Sequence, residues 1–241
     1  MNLENKRKPH AVLDLDSRKL KALKIELLLG LRDKKEKLTL LDIGTGSGGV
    51  ANYFAMLKTK KYDVDSVDVF DSRKIHEGYR FHLVTGCDLP FEDQSFDIVI
   101  TNHVIEHVGS YENQIVHLQE IRRVLKKNGV GYLAVPNRWM IEEPHYKLLF
   151  LSWLPKRFRT PYLKLMKKGE FYDCEPLTVS EVERMFDKIG FEYENKCIEA
   201  FRYFLVLEKP KSFYTKILNR VPNFIFRPLI KLIPTLIYVF K

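Results

Sequence analysis

The chain has 241 residues, 45% of them hydrophobic, and a formal charge of +9. That length carries one sizeable α/β core with an appendage, and three scattered cysteines, Cys87, Cys174 and Cys197, exclude a disulfide frame and point to reduced thiols in the cytoplasm. Positive charge is concentrated in residues 1–40, in 144–169 and in 211–241, the last two without any acid, which argues for localised anionic contacts over a uniformly basic nucleic-acid binder; a nucleic-acid partner is not expected, because Thr101-Asn102-His103-Val104 is not an Asn-Pro-Pro-Tyr type motif.

Met1 to His10 is charged and lacks the apolar stretch of a secretory leader. Residues 15–30 alternate leucines with lysines and predict an amphipathic helix ending near Gly30. Leu38 to Ile43 suits a buried parallel strand. Gly44-Thr45-Gly46-Ser47-Gly48-Gly49 follows, and a helical pattern resumes from Val50 to Leu57. Further strands are predicted at Val64–Val69, Tyr79–Val84 and Ser95–Thr101. A helix is predicted over Tyr111–Lys127, closed by Asn128-Gly129, and a strand over Val130–Val135. Thr178 and Glu181 make a capping box for a helix that Gly190 ends. Glu192–Ile198 and Arg202–Glu208 read as a closing hairpin. Strands alternating with helices mean a mostly parallel sheet covered on both faces.

A glycine turn between a first strand and a helix lets backbone approach a ligand closely. Gly44-x-Gly46-x-x-Gly49 also fits a dinucleotide fingerprint. Asp68 stands about 20 residues on, where an acid takes ribose hydroxyls. On these residues alone the ligand is an adenosine-bearing cofactor. An NAD-dependent oxidoreductase and a non-catalytic binding module stay open beside other chemistries.

Residues 40–49, Leu-Leu-Asp-Ile-Gly-Thr-Gly-Ser-Gly-Gly, resemble motif I of class I S-adenosylmethionine-dependent methyltransferases. Ser66-Val67-Asp68-Val69 resembles their ribose-binding strand end, Gly86 to Val99 their adenine loop and fourth strand, and Glu120 to Val130 their E-x-x-R-V-L-K segment. The ordered set spans residues 38–208. The resemblance implies a Rossmann-like, seven-stranded, mostly parallel sheet with helices on both faces. It places the domain at 1–210, a lid insertion at about 137–176, and a basic, apolar tail at 211–241. By the same resemblance Asp42, Gly44, Thr45 and Gly46 line the methionine part of S-adenosyl-L-methionine. Asp68 holds the ribose, Val69 or Phe70 packs on the adenine, and Cys87, Asp88 and Leu89 surround its amino group. Asn102 and His103 face the sulfonium. Asp71 rivals Asp68, and alternation along the strand favours Asp68.

His103-Val104-Ile105-Glu106-His107 is an H-x-x-E-H string, which on a helix can hold zinc. Here it follows the fourth strand, and no third metalloprotease ligand is evident downstream. Some quinone-biosynthesis O-methyltransferases carry Glu-x-x-Glu-His at this place and use a divalent cation. His103 stands at the first Glu of that pattern, so no metal ligands are assigned. The string reads first as structural, Glu106 and His107 orienting the loop by hydrogen bonds; beside that reading three histidines are candidate bases for a hydroxyl acceptor: His103, His107 and His145.

Residues 144–169 mix aromatic, aliphatic and basic side chains, as does 211–241. As a lid, the first would accept an amphiphilic anion. The tail has no apolar run long enough to span a bilayer. It is expected either to lie on an anionic membrane surface, the preferred reading, or to pack on the core or a second copy. Together they predict O-methylation of a small or lipid-linked acceptor: a glycolipid, a polyprenyl-linked sugar or a quinone precursor.

Overall fold

Residues 14–31, 37–58, 62–218 and 220–241 are described by a computed structural model; Met1 to His10, read above for a leader, lies outside them. Strand β1 (Leu38–Ile43) pairs in parallel with β2 (Tyr62–Asp68) on one side and β4 (Phe96–Asn102) on the other. Beyond them, β3 (Arg80–Leu83) pairs with β2 and β5 (Leu125–Pro136) with β4, again in parallel. Such strands are covered on both faces and read as near-continuous apolar runs. Ile98, Val99 and Ile100 of β4 are all fully buried.

Residues alternate between two cores. Leu40, Ile98 and Ile100 meet Ala22 and Ile25 of helix α1 (Leu15–Leu28) and Phe54 of α2 (Gly49–Ala55). Leu41 and Val99 point the other way, toward Leu118 and Ile121 of α3 (Tyr111–Val124). A hairpin of β6 (Glu142–Glu143) and β7 (Leu148–Leu149) and helix α4 (Lys156–Leu165) form the lid, around Leu148, Leu151, Leu163, Tyr172 and Cys174. Helix α5 (Val179–Ile189) has the expected capping box and ends at Gly190 with φ 81°.

Two expectations change. The helix from Tyr111 stops at Val124, because Leu125 turns extended and buries its side chain opposite Phe96. The Asn128-Gly129 pair lies where β5 slips register before Val130 meets Ile98. The expected closing hairpin is also replaced. Only β8 (Tyr193–Asn195) is a strand, and Cys197–Glu208 is helix α6, whose Ala200 packs in the first core. Its apolar run fits a strand or a buried helix equally well by pattern.

The partner strand comes from the tail. After short helices α7 (Phe213–Leu218) and α8 (Asn223–Phe226), β9 (Thr235–Phe240) inserts antiparallel between β5 and β8. The sheet order is β3-β2-β1-β4-β5-β9-β8. The sheet therefore does not end at residue 210: residues 235–240 complete it. Among the described residues no helix is long and apolar enough to cross a membrane.

Candidate functional site

The strand order reverses between β1 and β4, and their carboxyl ends flank the crevice where open α/β sheets bind ligands. Gly44, with φ 69°, holds the turn there; a Cβ on it would lie 2.3 Å from Val104 Cγ2. The Gly44 N–H donates to Val67 O at 2.8 Å and the Gly46 N–H to Asp68 Oδ2 at 2.9 Å. Asp68 Oδ1 accepts from Val69 N at 2.8 Å, so its carboxylate is locked at the end of β2. Asp71 instead grips Arg73 at 2.7 Å on the surface, and that hydrogen-bonded guanidinium lowers its carboxyl to about 2. Asp42 is buried beneath the turn, where desolvation raises it to about 7, and accepts from Thr45 Oγ1 at 2.8 Å.

A cavity of about 530 Å³ opens here and brings together Asp42, Gly44, Thr45, Gly46, Asp68, Val69, Asn102, His103, His107 and His145. Cys87, Asp88 and Leu89 do not line it. Cys87 Sγ points to Asn113 O at 3.8 Å, Asp88 is exposed, and Leu89 is buried with its N–H donating to Glu120 at 3.0 Å. Among the wall residues that escaped the sequence reading are Arg18 and Lys21 of α1. Their i,i+3 spacing just before the first strand was the available signal, and it looks like any solvated helix face. Burial lowers Arg18, and lowers Lys21 to about 7.

Polar atoms at the wall await a ligand. Arg18 Nε, Ser47 Oγ and Asn102 Oδ1 are buried without a hydrogen-bond partner among the described residues. Buried polar groups are normally paired, so these fit a polar molecule in the cavity. Val69 and Phe70 add an apolar wall, 47% and 51% exposed. The wall thus combines the basic side chains Arg18 and Lys21, a carboxylate beside the turn and an apolar face.

The H-x-x-E-H string does not lie on one α-helix. β4 ends at Asn102, His103 takes φ 59°, and Ile105–His107 forms a single 3-10 turn. The left-handed conformation is costly for a side chain with a Cβ and clusters at functional sites. It aims His103 at Glu106, which is fully buried, with Nδ1 to Oε1 at 3.2 Å. Burial raises Glu106, but the His103 hydrogen bond and the nearby imidazoles outweigh it and hold it below the usual range. Burial lowers His103 against the opposing pull of Glu106. His145, in the lid hairpin, is penalised by burial yet raised overall by Glu143 at 2.7 Å.

Residues 41–133 match the methyltransferase domain family. A ubiquinone biosynthesis O-methyltransferase of Rickettsia prowazekii is 26% identical over 205 residues, 78% of this chain and 77% of its own. A demethylmenaquinone methyltransferase of Chlorobaculum parvum is 29% identical over 187 residues, 74% of this chain and 71% of its own. Among solved structures, the plantazolicin methyltransferase BpumL superposes with TM-score 0.57 at 19% identity, covering 94% of this chain and 84% of its own. A Methanosarcina mazei methyltransferase superposes with TM-score 0.54 at 18% identity, over 89% and 96%. Both share the fold. The matched segment runs from β1 into β5 and contains the turn, Asp68 and the β4 end; residues 41–133 are thus a methyltransferase domain of the S-adenosylmethionine-dependent kind, with S-adenosylmethionine as the cofactor.

Proposed function

We propose that this enzyme methylates a hydroxyl oxygen of a small, amphiphilic or lipid-linked acceptor, of the quinone-precursor, glycolipid or polyprenyl-linked-sugar type, with His103 as general base. The observation that carries this is the pairing of His103, on the wall of the cofactor cavity, with the fully buried Glu106. The names of the quinone-pathway relatives support the acceptor class.

The bound sulfonium supplies an electrophilic methyl group and a neutral leaving group. The protein's tasks are orientation, exclusion of water and proton removal. Glu106 accepts the Nδ1–H of His103, which leaves Nε2 with its lone pair for the acceptor hydroxyl. Depression of its pKa keeps that imidazole neutral at pH 7. Asp68 would take the ribose hydroxyls, and Arg18 and Lys21 would hold the carboxylate of the methionine part. The lid presents Trp139, Phe150, Trp153 and Phe158 to solvent, each at least 39% exposed, as an apolar entrance for the acceptor's tail.

Calorimetric titration with S-adenosylhomocysteine tests the cofactor assignments. Asp68→Ala removes charge-assisted hydrogen bonds of about 1.5–3 kcal/mol, so affinity is expected to fall by at least about tenfold. Unchanged affinity would remove Asp68 from the site. Acceptor screening should start with prenylated catechols, with unprenylated catechols and free sugars for comparison.

Membrane contact is part of the same reading. Phe213, Ile217, Phe224 and Ile225 are exposed on the tail, interleaved with Lys211, Lys216, Arg220 and Arg227. Near an anionic surface each basic residue contributes about 1 kcal/mol. The wild-type chain is expected to sediment with phosphatidylserine vesicles and not with neutral ones, and Phe224→Asp to weaken this. Equal recovery with both vesicle types, or none, would end the membrane proposal.

A further inference from the structure

One cluster at the cavity edge is not explained by cofactor binding. His107, His145 and Cys174 bring one ligand atom each to within 4.8 Å of one another. Three separate parts of the chain converge to do this. His107 ends the 3-10 turn after β4, His145 lies in the turn of the β6–β7 hairpin, and Cys174 lies between α4 and α5.

The convergence is built by backbone and side-chain bonds. Glu175 N–H donates to Glu106 O at 2.8 Å, and Gln114 Nε2 donates to both Ile105 O and Glu175 O at 3.2 Å. These tie the Cys174 segment to the His107 turn. Tyr146 OH donates to Asp173 Oδ1 at 3.0 Å and ties the hairpin to the same segment. Cys174 is 2% exposed, while His107 and His145 stand on the cavity wall.

We propose that His107, His145 and Cys174 bind a zinc-class divalent cation whose fourth coordination position faces the acceptor space. A set of two imidazoles and one thiolate suits zinc over magnesium or calcium, which take oxygen donors. Cys174 Sγ lies 3.9 Å from His107 Nδ1 and 3.8 Å from His145 Nδ1. Tetrahedral zinc with ordinary bond lengths sets sulfur–nitrogen separations of about 3.5 Å, so small side-chain rotations close the site. Three carboxylates supply counter-charge: Glu143 Oε1 is 2.7 Å from His145 Nδ1, Asp173 Oδ1 3.6 Å from Cys174 Sγ, and Glu106 Oε1 4.0 Å from His107 Nε2. On binding, the cation displaces the Cys174 thiol proton and the proton between His145 Nδ1 and Glu143 Oε1, and both protons pass to solvent. Three protein ligands and one open position are the pattern of catalytic zinc. The use of that position to hold an acceptor oxygen rests on the O-methylation reading; occupancy of the site does not.

Cobalt(II) titration of the full chain, read by absorption, decides it, because thiolate ligation gives a sulfur-to-cobalt charge-transfer band. One cobalt per chain is expected, displaced by zinc. Cys174→Ser should abolish the band, His145→Ala should weaken binding by more than the roughly 10–100-fold that loss of an outer partner costs, and Cys197→Ser should leave the band intact. Thermal unfolding and S-adenosylhomocysteine titration of each variant establish that it is folded. No band in the wild-type chain, or a band that survives Cys174→Ser, overturns the inference. If S-adenosylhomocysteine binds in that case, the methyltransferase reading stands without the metal. If the band follows the prediction while no hydroxyl acceptor is methylated, the metal site stands and the acceptor reading falls.

Discussion

Removal of residues 235–241 is expected to abolish cooperative folding. Those residues look dispensable in the sequence, at the end of a basic tail. In the fold they form β9, with six registered pairs to β5 on one side and three to β8 on the other. Leu236, Ile237, Tyr238 and Phe240 are all buried. The Phe240 ring fills the space over Gly131, where even a Cβ would come within 2.1 Å of it. Tyr238 OH hydrogen-bonds Glu183 and Asn195, which couples the strand to α5 and β8. Loss of one such aromatic costs about 3–5 kcal/mol. Loss of the whole strand exceeds the 5–15 kcal/mol that usually separates folded from unfolded chains. Circular dichroism melts of the truncated chain would show it: a sharp transition near the wild-type temperature would refute the placement of β9. The point variant Phe240→Ala should fold with a lowered midpoint.

The same strand shows where sequence reading reached and where it stopped. Motifs with a fixed local order were legible: the glycine turn after β1, Asp68 at the end of β2 and the capping box of α5 each follow from a few neighbouring residues. Long-range pairing was not. Arg202–Glu208 carries enough apolar residues for a strand, but in the fold it is helical and Thr235–Phe240 takes the place beside β5. Arg18 and Lys21 were invisible as site residues for the same reason. Nothing local to α1 says that one of its faces closes a cavity formed by β1, β2 and β4. His107, His145 and Cys174 are 38 and 29 residues apart in sequence, too far for any spacing rule to join them.

His103→Ala is expected to lower kcat by about 10²–10⁴, the range for loss of a positioned general base, while S-adenosylhomocysteine still binds. The pH profile supplies the second arm. Three groups face His103 from different elements: Glu106 from its own turn, Lys21 from α1 and His145 from the lid. Burial dominates and, with Lys21 and His145, favours the neutral ring; Glu106 opposes them. The folded pKa therefore lies below 6.5. A base must be neutral to act, so kcat/KM should rise with pH to a midpoint below 6.5 and then level off across neutral pH. The contribution of two histidines to stability moves in the same direction. The unfolded chain takes up protons that the partly buried His103, and the buried His117, lowered to about 4, refuse in the fold. These two groups cost stability on acidification through 6.5, while Asp42, raised to about 7, and His145, also raised, act in the opposite sense, so thermal melts at each pH are needed to separate loss of fold from loss of base. In His103→Ala the acid limb should vanish from the residual rate while the stability loss due to His117 persists. A limb centred above 6.5, or one that survives the substitution, would move the base to another group on the wall and leave His103 as a shaped, strained turn.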